Sequence, residues 1–246
     1  MKQLTGSETD YEEAADPISD EEALRFLSAI RDEYRAESAQ VAAEVAERER
    51  RSRLERIAGR AGIPMRYAGK GFDDYRVEHP GQQKAVDVAR EYADHFENVR
   101  RHGLCMMLLG NTGNGKTHLA CAILAAIMQR GHSGLYLTLS DALRWIRSTY
   151  DPSSDVSESE VLRELSSIDL LALDEIGIAI GDPEKRRATM SDILDARYMA
   201  GLPTIIMSNQ TRQEVHDYLG GRLFERLLEG GGIVVPFTWE SYRLKA

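Results

Sequence analysis

The sequence predicts an α/β protein: a five-stranded parallel sheet with helices on both faces, preceded by a small helical region. Three observations carry this expectation. From about Phe72 onward, short apolar runs alternate with stretches of helical period, the texture of a doubly wound sheet. One apolar run leads into the glycine-rich segment "GNTGNGKT" (110–117), which in turn opens a helical pattern. Another run, "IDLLALDE" (168–175), ends in two consecutive carboxylates, where a buried strand would reach the ligand-facing edge of such a sheet.

Taken in order, residues 1–16 show no apolar period and are expected to be disordered. Ser19 and Glu22 form an S-x-x-E capping box ahead of Leu24, Leu27, Ile30 and Tyr34, which recur at helical spacing. A second helical stretch, alanine-rich and then arginine-rich, covers about 37–58. Residues 1–40 carry eleven acids against four bases, whereas 44–60 carry four acids against six arginines, so the sign of the charge reverses within this region. "AGIPMRYAGKG" then interrupts the pattern with Gly62, Pro64, Gly69 and Gly71. The expected organisation is a helical N-terminal region over 1–60, a linker over 61–80 and the main domain over 81–246. The first region is either an arm that binds a partner or a helix pair folded back on the main domain, and the residues leave both open.

In the main domain a helical pattern runs through "GQQKAVDVAREYADHFENV", followed by a strand at 104–109 and a helix at 118–130. A second strand follows at 134–139. Ser140 is placed to cap the helix "DALRWIRSTY", which Asp151-Pro152 ends, and "PSSDVSESE" reads as a loop. The third strand is 168–175, a helix covers 183–200, and the fourth and fifth strands are 203–209 and 232–237. Nine residues follow the last strand, so no C-terminal helical lid is expected.

Bulk properties narrow the function. The chain has 246 residues, 42% hydrophobic and 29% charged, with no run approaching the ~18 apolar residues of a membrane helix. Its acidic, polar N-terminus is unlike a secretory signal, so a cytoplasmic location and no membrane partner are expected. The net charge of −9 argues against nonspecific coating of duplex DNA, since neutralising phosphates needs an excess of lysine and arginine. The two cysteines, Cys105 and Cys121, lack metal-ligand spacing and are expected to be reduced core residues.

"GNTGNGKT" satisfies G-x-x-x-x-G-K-[ST] between a strand and a helix, the context that gives the motif its meaning. Gly110, Asn111, Thr112, Gly113, Asn114 and Gly115 form a loop whose N–H groups can turn inward on phosphate oxygens, assisted by the helix N-terminus. Lys116 reaches the outer phosphates and the Thr117 hydroxyl is a magnesium ligand. The expected cofactors are therefore ATP and Mg²⁺. Asp174 can hold the magnesium, directly or through water, and Glu175 can polarise a water for attack on the γ-phosphate. An Asp-Glu pair favours water as acceptor, hence hydrolysis, over the acceptor pocket and lid of a small-molecule kinase. Asn209, at the tip of the fourth strand, can orient that water or simply form a turn. Arg222 and Arg226 lie four apart on one helix face. Either could approach the γ-phosphate or form a solvated face, and Arg197 is a further candidate.

These segments together resemble a family. "GNTGNGKTHLA", "IDLLALDEIG", "PTIIMSNQ" and "LGGRLFERL" are similar to the ATPase core of AAA+ proteins of the DnaC/IstB group. "GFDDYRVEHPGQQKA" and "WESYR" resemble bacterial DnaC-type replicative helicase loaders in particular. The resemblance covers about Arg60 to Tyr242. It implies that Lys116 and Thr117 are the Walker A pair, Asp174 and Glu175 the Walker B pair, Asn209 the sensor I position and Arg222 the arginine finger acting on an adjacent protomer. It further implies that the N-terminal region grips a hexameric replicative helicase, and that the ATPase domains self-assemble with ATP and touch single-stranded DNA. Arg144, Arg147 and Tyr150, with Trp145, lie on the helix where initiator-type relatives carry a DNA-facing element. Arginine with an aromatic suits phosphate and base, although Trp145 fits a core position equally. Lys185, Arg186 and Arg187 form a basic cluster expected to be a solvated helix start. The implied function is ATP-dependent helicase loading, the alternative an IstB-like transposition helper acting on duplex DNA.

Overall fold

The structure is a computed structural model that describes residues 62–177 and 182–242, together with most positions of a helical run over 25–45. The Ser19–Glu22 box, the first 16 residues and the arginine-rich stretch after residue 45 lie outside the described residues. The chain divides into two compact units, Met1–Glu49 and Arg50–Ala246. In the first unit the run over 25–45, α1, leaves Leu27, Ile30, Tyr34, Val41 and Val45 exposed at helical spacing.

The second unit holds a five-stranded sheet in the order β2-β3-β4-β1-β5, with every pairing parallel. The strands are β1 (Met106–Gly110), β2 (Gly134–Thr138), β3 (Leu170–Asp174), β4 (Thr204–Ser208) and β5 (Ile233–Phe237). Alternation of side chains splits the core into two layers. Met106, Leu108, Leu170, Ala172, Ile205 and Met207 face α2 (Pro80–Asp94), α3 (Phe96–His102) and α4 (Lys116–Gln129). Met107, Leu109, Leu171, Leu173 and Ile206 face α5 (Leu139–Ser148), α6 (Glu158–Leu165), α7 (Pro183–Met199), α8 (Arg212–Leu219) and α9 (Gly221–Leu228). Both faces are covered, which is why these strands read as continuous apolar runs rather than alternating ones.

Three local expectations are corrected. Thr138, not Ser140, caps α5: its hydroxyl accepts from the Asp141 N–H, and the Asp141 carboxylate reaches back to the Thr138 N–H. The strand therefore passes directly into the helix with no intervening residue, and Ser140 lies inside the first turn. The stretch read as a loop through residue 160 becomes α6 from Glu158, capped by Ser157 through the same S-x-x-E chemistry that was recognised at Ser19. The helix read continuously through "GQQKAVDVAREYADHFENV" is two helices, with His95 between α2 and α3.

Arg197 was a candidate for the γ-phosphate. The structure buries it, 1% exposed, at the N-terminal entries of β3 and β4, the strand ends opposite the loop that follows β1. Its Nε donates to Thr204 Oγ1 (2.9 Å), its Nη1 to the carbonyls of Leu165 (2.5 Å) and Ile168 (3.0 Å), and its Nη2 to that of Pro203 (2.6 Å). The guanidinium thus satisfies carbonyls from the ends of α6 and the entries to β3 and β4, and burial pulls its pKa down to about 10. Replacing Arg197 with leucine strands those carbonyls in an apolar layer. We expect a loss of about 3 kcal/mol or more in chemical denaturation; a loss below about 1 kcal/mol would show that water replaces the guanidinium.

Candidate nucleotide site

β1 ends at Gly110, where φ is 139° and an added Cβ would lie 2.2 Å from the Phe237 carbonyl oxygen. Only glycine lets the chain leave the sheet this close to β5. The loop then runs through Asn111–Gly115 and α4 begins at Lys116, so a helix N-terminus points into the space above the strands. Gly115, at φ 95°, packs under the Tyr75 ring, which a Cβ there would meet at 2.4 Å.

The loop is tied from several sides. Tyr75 Oη and Trp239 Nε1 both donate to the Asn114 carbonyl, at 2.8 and 3.0 Å. The Asn114 amide donates to the Phe237 carbonyl at 2.9 Å, and the Tyr242 N–H to the Gly113 carbonyl at 2.9 Å. Burial raises the Tyr75 phenol above its ordinary range. Lys116, only 5% exposed, turns its ammonium onto the carbonyls of Gly110 (2.5 Å) and Asn111 (2.7 Å) and the Asn114 side-chain oxygen (3.2 Å). These are the partners that phosphate oxygens would exchange with.

Asp174 closes the other wall. Its Oδ2 accepts from Thr117 Oγ1 and from Tyr136 Oη, both at 2.8 Å, and its Oδ1 from the Glu175 N–H at 2.7 Å. Burial, followed by the charge and hydrogen bond of Asp174, pushes the Tyr136 phenol upward, so it stays a donor. A hydroxyl and a carboxylate side by side at the mouth of the phosphate loop fit a hard divalent cation, which takes oxygen ligands. Glu175 is the one non-glycine with positive φ (62°) among the described residues. Such a conformation costs about 1–3 kcal/mol and marks a position held by its surroundings. Partial burial, then the charges of Asp174 and Asp141, raise its pKa, while Arg186 lowers it.

The structure brings Thr112 to Thr117, Asp174, Glu175 and Asn209 together around one cavity of about 480 Å³. Asn209 is exposed, just beyond the end of β4. Arg222 is exposed on α9, makes no hydrogen bond or ion pair among the described residues, and does not line this cavity. Arg226 is committed elsewhere: it pairs with Asp195 and lies 4.6 Å from the Tyr198 ring centre. Arg144, Arg147 and Tyr150 are exposed on or just after α5, with Arg144 paired to Asp141 and Tyr150 donating to Glu158 (3.1 Å). Trp145 is half-buried against the core. The Lys185–Arg187 cluster is split, because Arg186 is 4% exposed and turns toward Ser140 (3.4 Å) instead of solvent.

Cys105 and Cys121 are free and buried, as expected, and burial drives the Cys121 thiol up to about 12. No cluster of three or more metal-ligating His, Cys, Asp or Glu side chains occurs among the described residues, nor any helix long and apolar enough to cross a membrane. Reading the sequence alone missed Tyr136, Tyr75, Trp239 and Tyr242. A phenol in the otherwise aliphatic β2 was a usable signal, since a buried hydroxyl needs a partner. "GFDDYR" and "WESYR" carry no sequence signal of where they pack; the structure puts Tyr75 and Tyr242 on the loop after β1.

The family of IstB-like ATP-binding proteins matches residues 22–246. The replicative helicase loader DnaC of Escherichia coli (strain K12) is 34% identical over 199 residues, which cover 80% of this chain and 79% of that protein. A crystal structure of the DnaC helicase loader superposes with a TM-score of 0.61 at 25% identity, covering 70% of this chain and 99% of that one. AMPPCP-bound DnaA from Aquifex aeolicus superposes at 0.58 with 24% identity over 71% of this chain and 51% of that one, a likeness of fold.

Gly115→Ala tests the loop geometry. The strained φ and the clash with Tyr75 should displace the N–H groups and weaken ATP binding by about tenfold or more in calorimetry. Unchanged affinity would show that the loop tolerates a side chain there.

Proposed function

The chain belongs to the family of IstB-like ATP-binding proteins, and on that premise we propose that it is an ATP-hydrolysing helicase loader that delivers a replicative helicase to single-stranded DNA. The observation that carries the ATPase reading is the convergence of Lys116, Thr117, Asp174 and Glu175 on one cavity. The loader reading is supported by identity to DnaC loaders across four-fifths of the chain (80%).

The chain's residues divide the work as follows. N–H groups of the loop and the start of α4 receive phosphate oxygens, and Lys116 exchanges its carbonyl partners for the outer phosphates. Thr117 and Asp174 would hold Mg²⁺, which supplies charge neutralisation when bound. Glu175 accepts the proton of an attacking water, and Asn209 orients that water. Arg222, exposed and outside its own chain's cavity, acts on nucleotide held by a neighbouring copy, so turnover requires self-assembly. The region over 1–60 binds the helicase, for which the exposed Leu27, Ile30 and Tyr34 offer an apolar stripe. The domain over 81–246, joined through 61–80, performs the ATPase cycle. Arg144, Arg147 and Tyr150 contact single-stranded DNA by phosphate pairing and base stacking. A preference for duplex over single-stranded DNA would favour the transposition-helper reading instead.

Two variants check these assignments. Lys116→Ala should abolish ATP binding, because the loop then faces several negative charges without a cation; retained affinity would refute the grip. Arg222→Ala should bind ATP normally yet lose DNA-stimulated turnover by about a hundredfold or more. Normal turnover would place the finger at another exposed arginine, since Arg197 is buried and Arg226 paired. Co-purification with the host replicative helicase, with and without ATP, tests the loader role directly.

A further inference from the structure

The cavity is longer than its phosphate end. Beyond Lys116, Thr117, Asp174 and Glu175 it is lined by Tyr67, Lys70, Tyr75, Arg76 and Tyr242. Two segments far apart in sequence meet there. The Arg76 guanidinium donates to Tyr242 Oη at 2.7 Å and its carbon lies 5.4 Å from the Tyr242 ring centre. Tyr242 is located by two anchors that do not involve its own side chain. Its N–H donates to Gly113, and Trp239, 7% exposed, is bonded through its indole to Asn114 and packed on Phe237 at 4.7 Å. The Tyr242 ring, by contrast, stays 41% exposed at the cavity wall.

An aromatic ring fixed by a buried neighbour, backed by a guanidinium and open to the cavity, is a stacking surface for a π-system. A ring that merely filled space would be covered, as Trp239 is. A ring that merely held the phosphate loop would do so through its hydroxyl, but that hydroxyl goes to Arg76 and the loop is held by the backbone. We propose that Tyr242, positioned by Arg76, recognises the nucleoside end of the nucleotide, so that the segment after β5 selects a nucleoside triphosphate over the bare phosphate chain. This rests on the nucleotide-binding reading above and adds the residue that meets the base or ribose. Arg76 is a positioning residue whose effect passes through the Tyr242 ring.

The test compares two ligands on the full chain by calorimetry, both with magnesium: a non-hydrolysable analogue standing in for ATP, and inorganic tripolyphosphate. Tyr242→Ala keeps the backbone N–H to Gly113. It should weaken ATP by about tenfold while leaving tripolyphosphate within about twofold. Tyr242→Phe, which keeps the ring, should recover most of the ATP affinity, and Arg76→Gln should lower it partway, again without touching tripolyphosphate. Equal weakening of both ligands, or no weakening of ATP, would overturn the proposal while leaving the nucleotide reading intact. Failure of the unaltered chain to bind either ligand would instead remove the nucleotide reading, and this inference with it.

Discussion

One carboxylate organises the edge of the sheet on which everything else depends. Asp174 accepts hydrogen bonds from Thr117 at the start of α4, from Tyr136 on β2 and from the backbone of Glu175. The two side-chain bonds tie the end of β3 to the start of α4 and to β2, while the Glu175 N–H belongs to the residue that directly follows. The sheet order makes this possible. β3 lies beside β2, with Thr138 in register with Asp174, while β4 separates β3 from β1. The loop leaving β1 therefore crosses over β4 to reach the carboxylate.

The loop is equally constrained from its far side. Asn114 is the junction: its carbonyl receives Tyr75 and Trp239, its amide reaches Phe237, and its side-chain oxygen takes part of the Lys116 ammonium. Moving Lys116 toward a phosphate changes what Asn114 can hold, and Asn114 is bonded to residues from both ends of the second unit. The loop is thus hydrogen-bonded both to the segment around Tyr75 and to the segment after β5.

Much of this was legible in the residues, for identifiable reasons. Apolar runs with helical stretches between them signal a parallel sheet because both faces must be buried, and all five strands appear where those runs are. The phosphate loop was legible because its glycines have no substitute at positions such as Gly110 and Gly115. What escaped notice depends on contacts distant in sequence. Arg197 looks like any helical arginine until α6, β3 and β4 are placed around it. Arg186 looks solvated until α7 packs against Ser140. Tyr75 and Tyr242, 167 positions apart by their numbers, come to one loop only once the chain is folded around the sheet. Thr138 was missed for a local reason: it ends a strand and caps a helix at once.

The proposed site hydrolyses ATP, with magnesium, through Glu175. The most direct measurement is phosphate release from ATP by the full chain at high protein concentration with single-stranded DNA, in magnesium and in EDTA, for the unaltered chain and for Glu175→Gln. Free phosphate that depends on magnesium is expected. Glu175→Gln should still bind ATP but release phosphate about a hundredfold or more slowly. Release at an undiminished rate by Glu175→Gln, or none by the unaltered chain under these conditions, would contradict this chemistry.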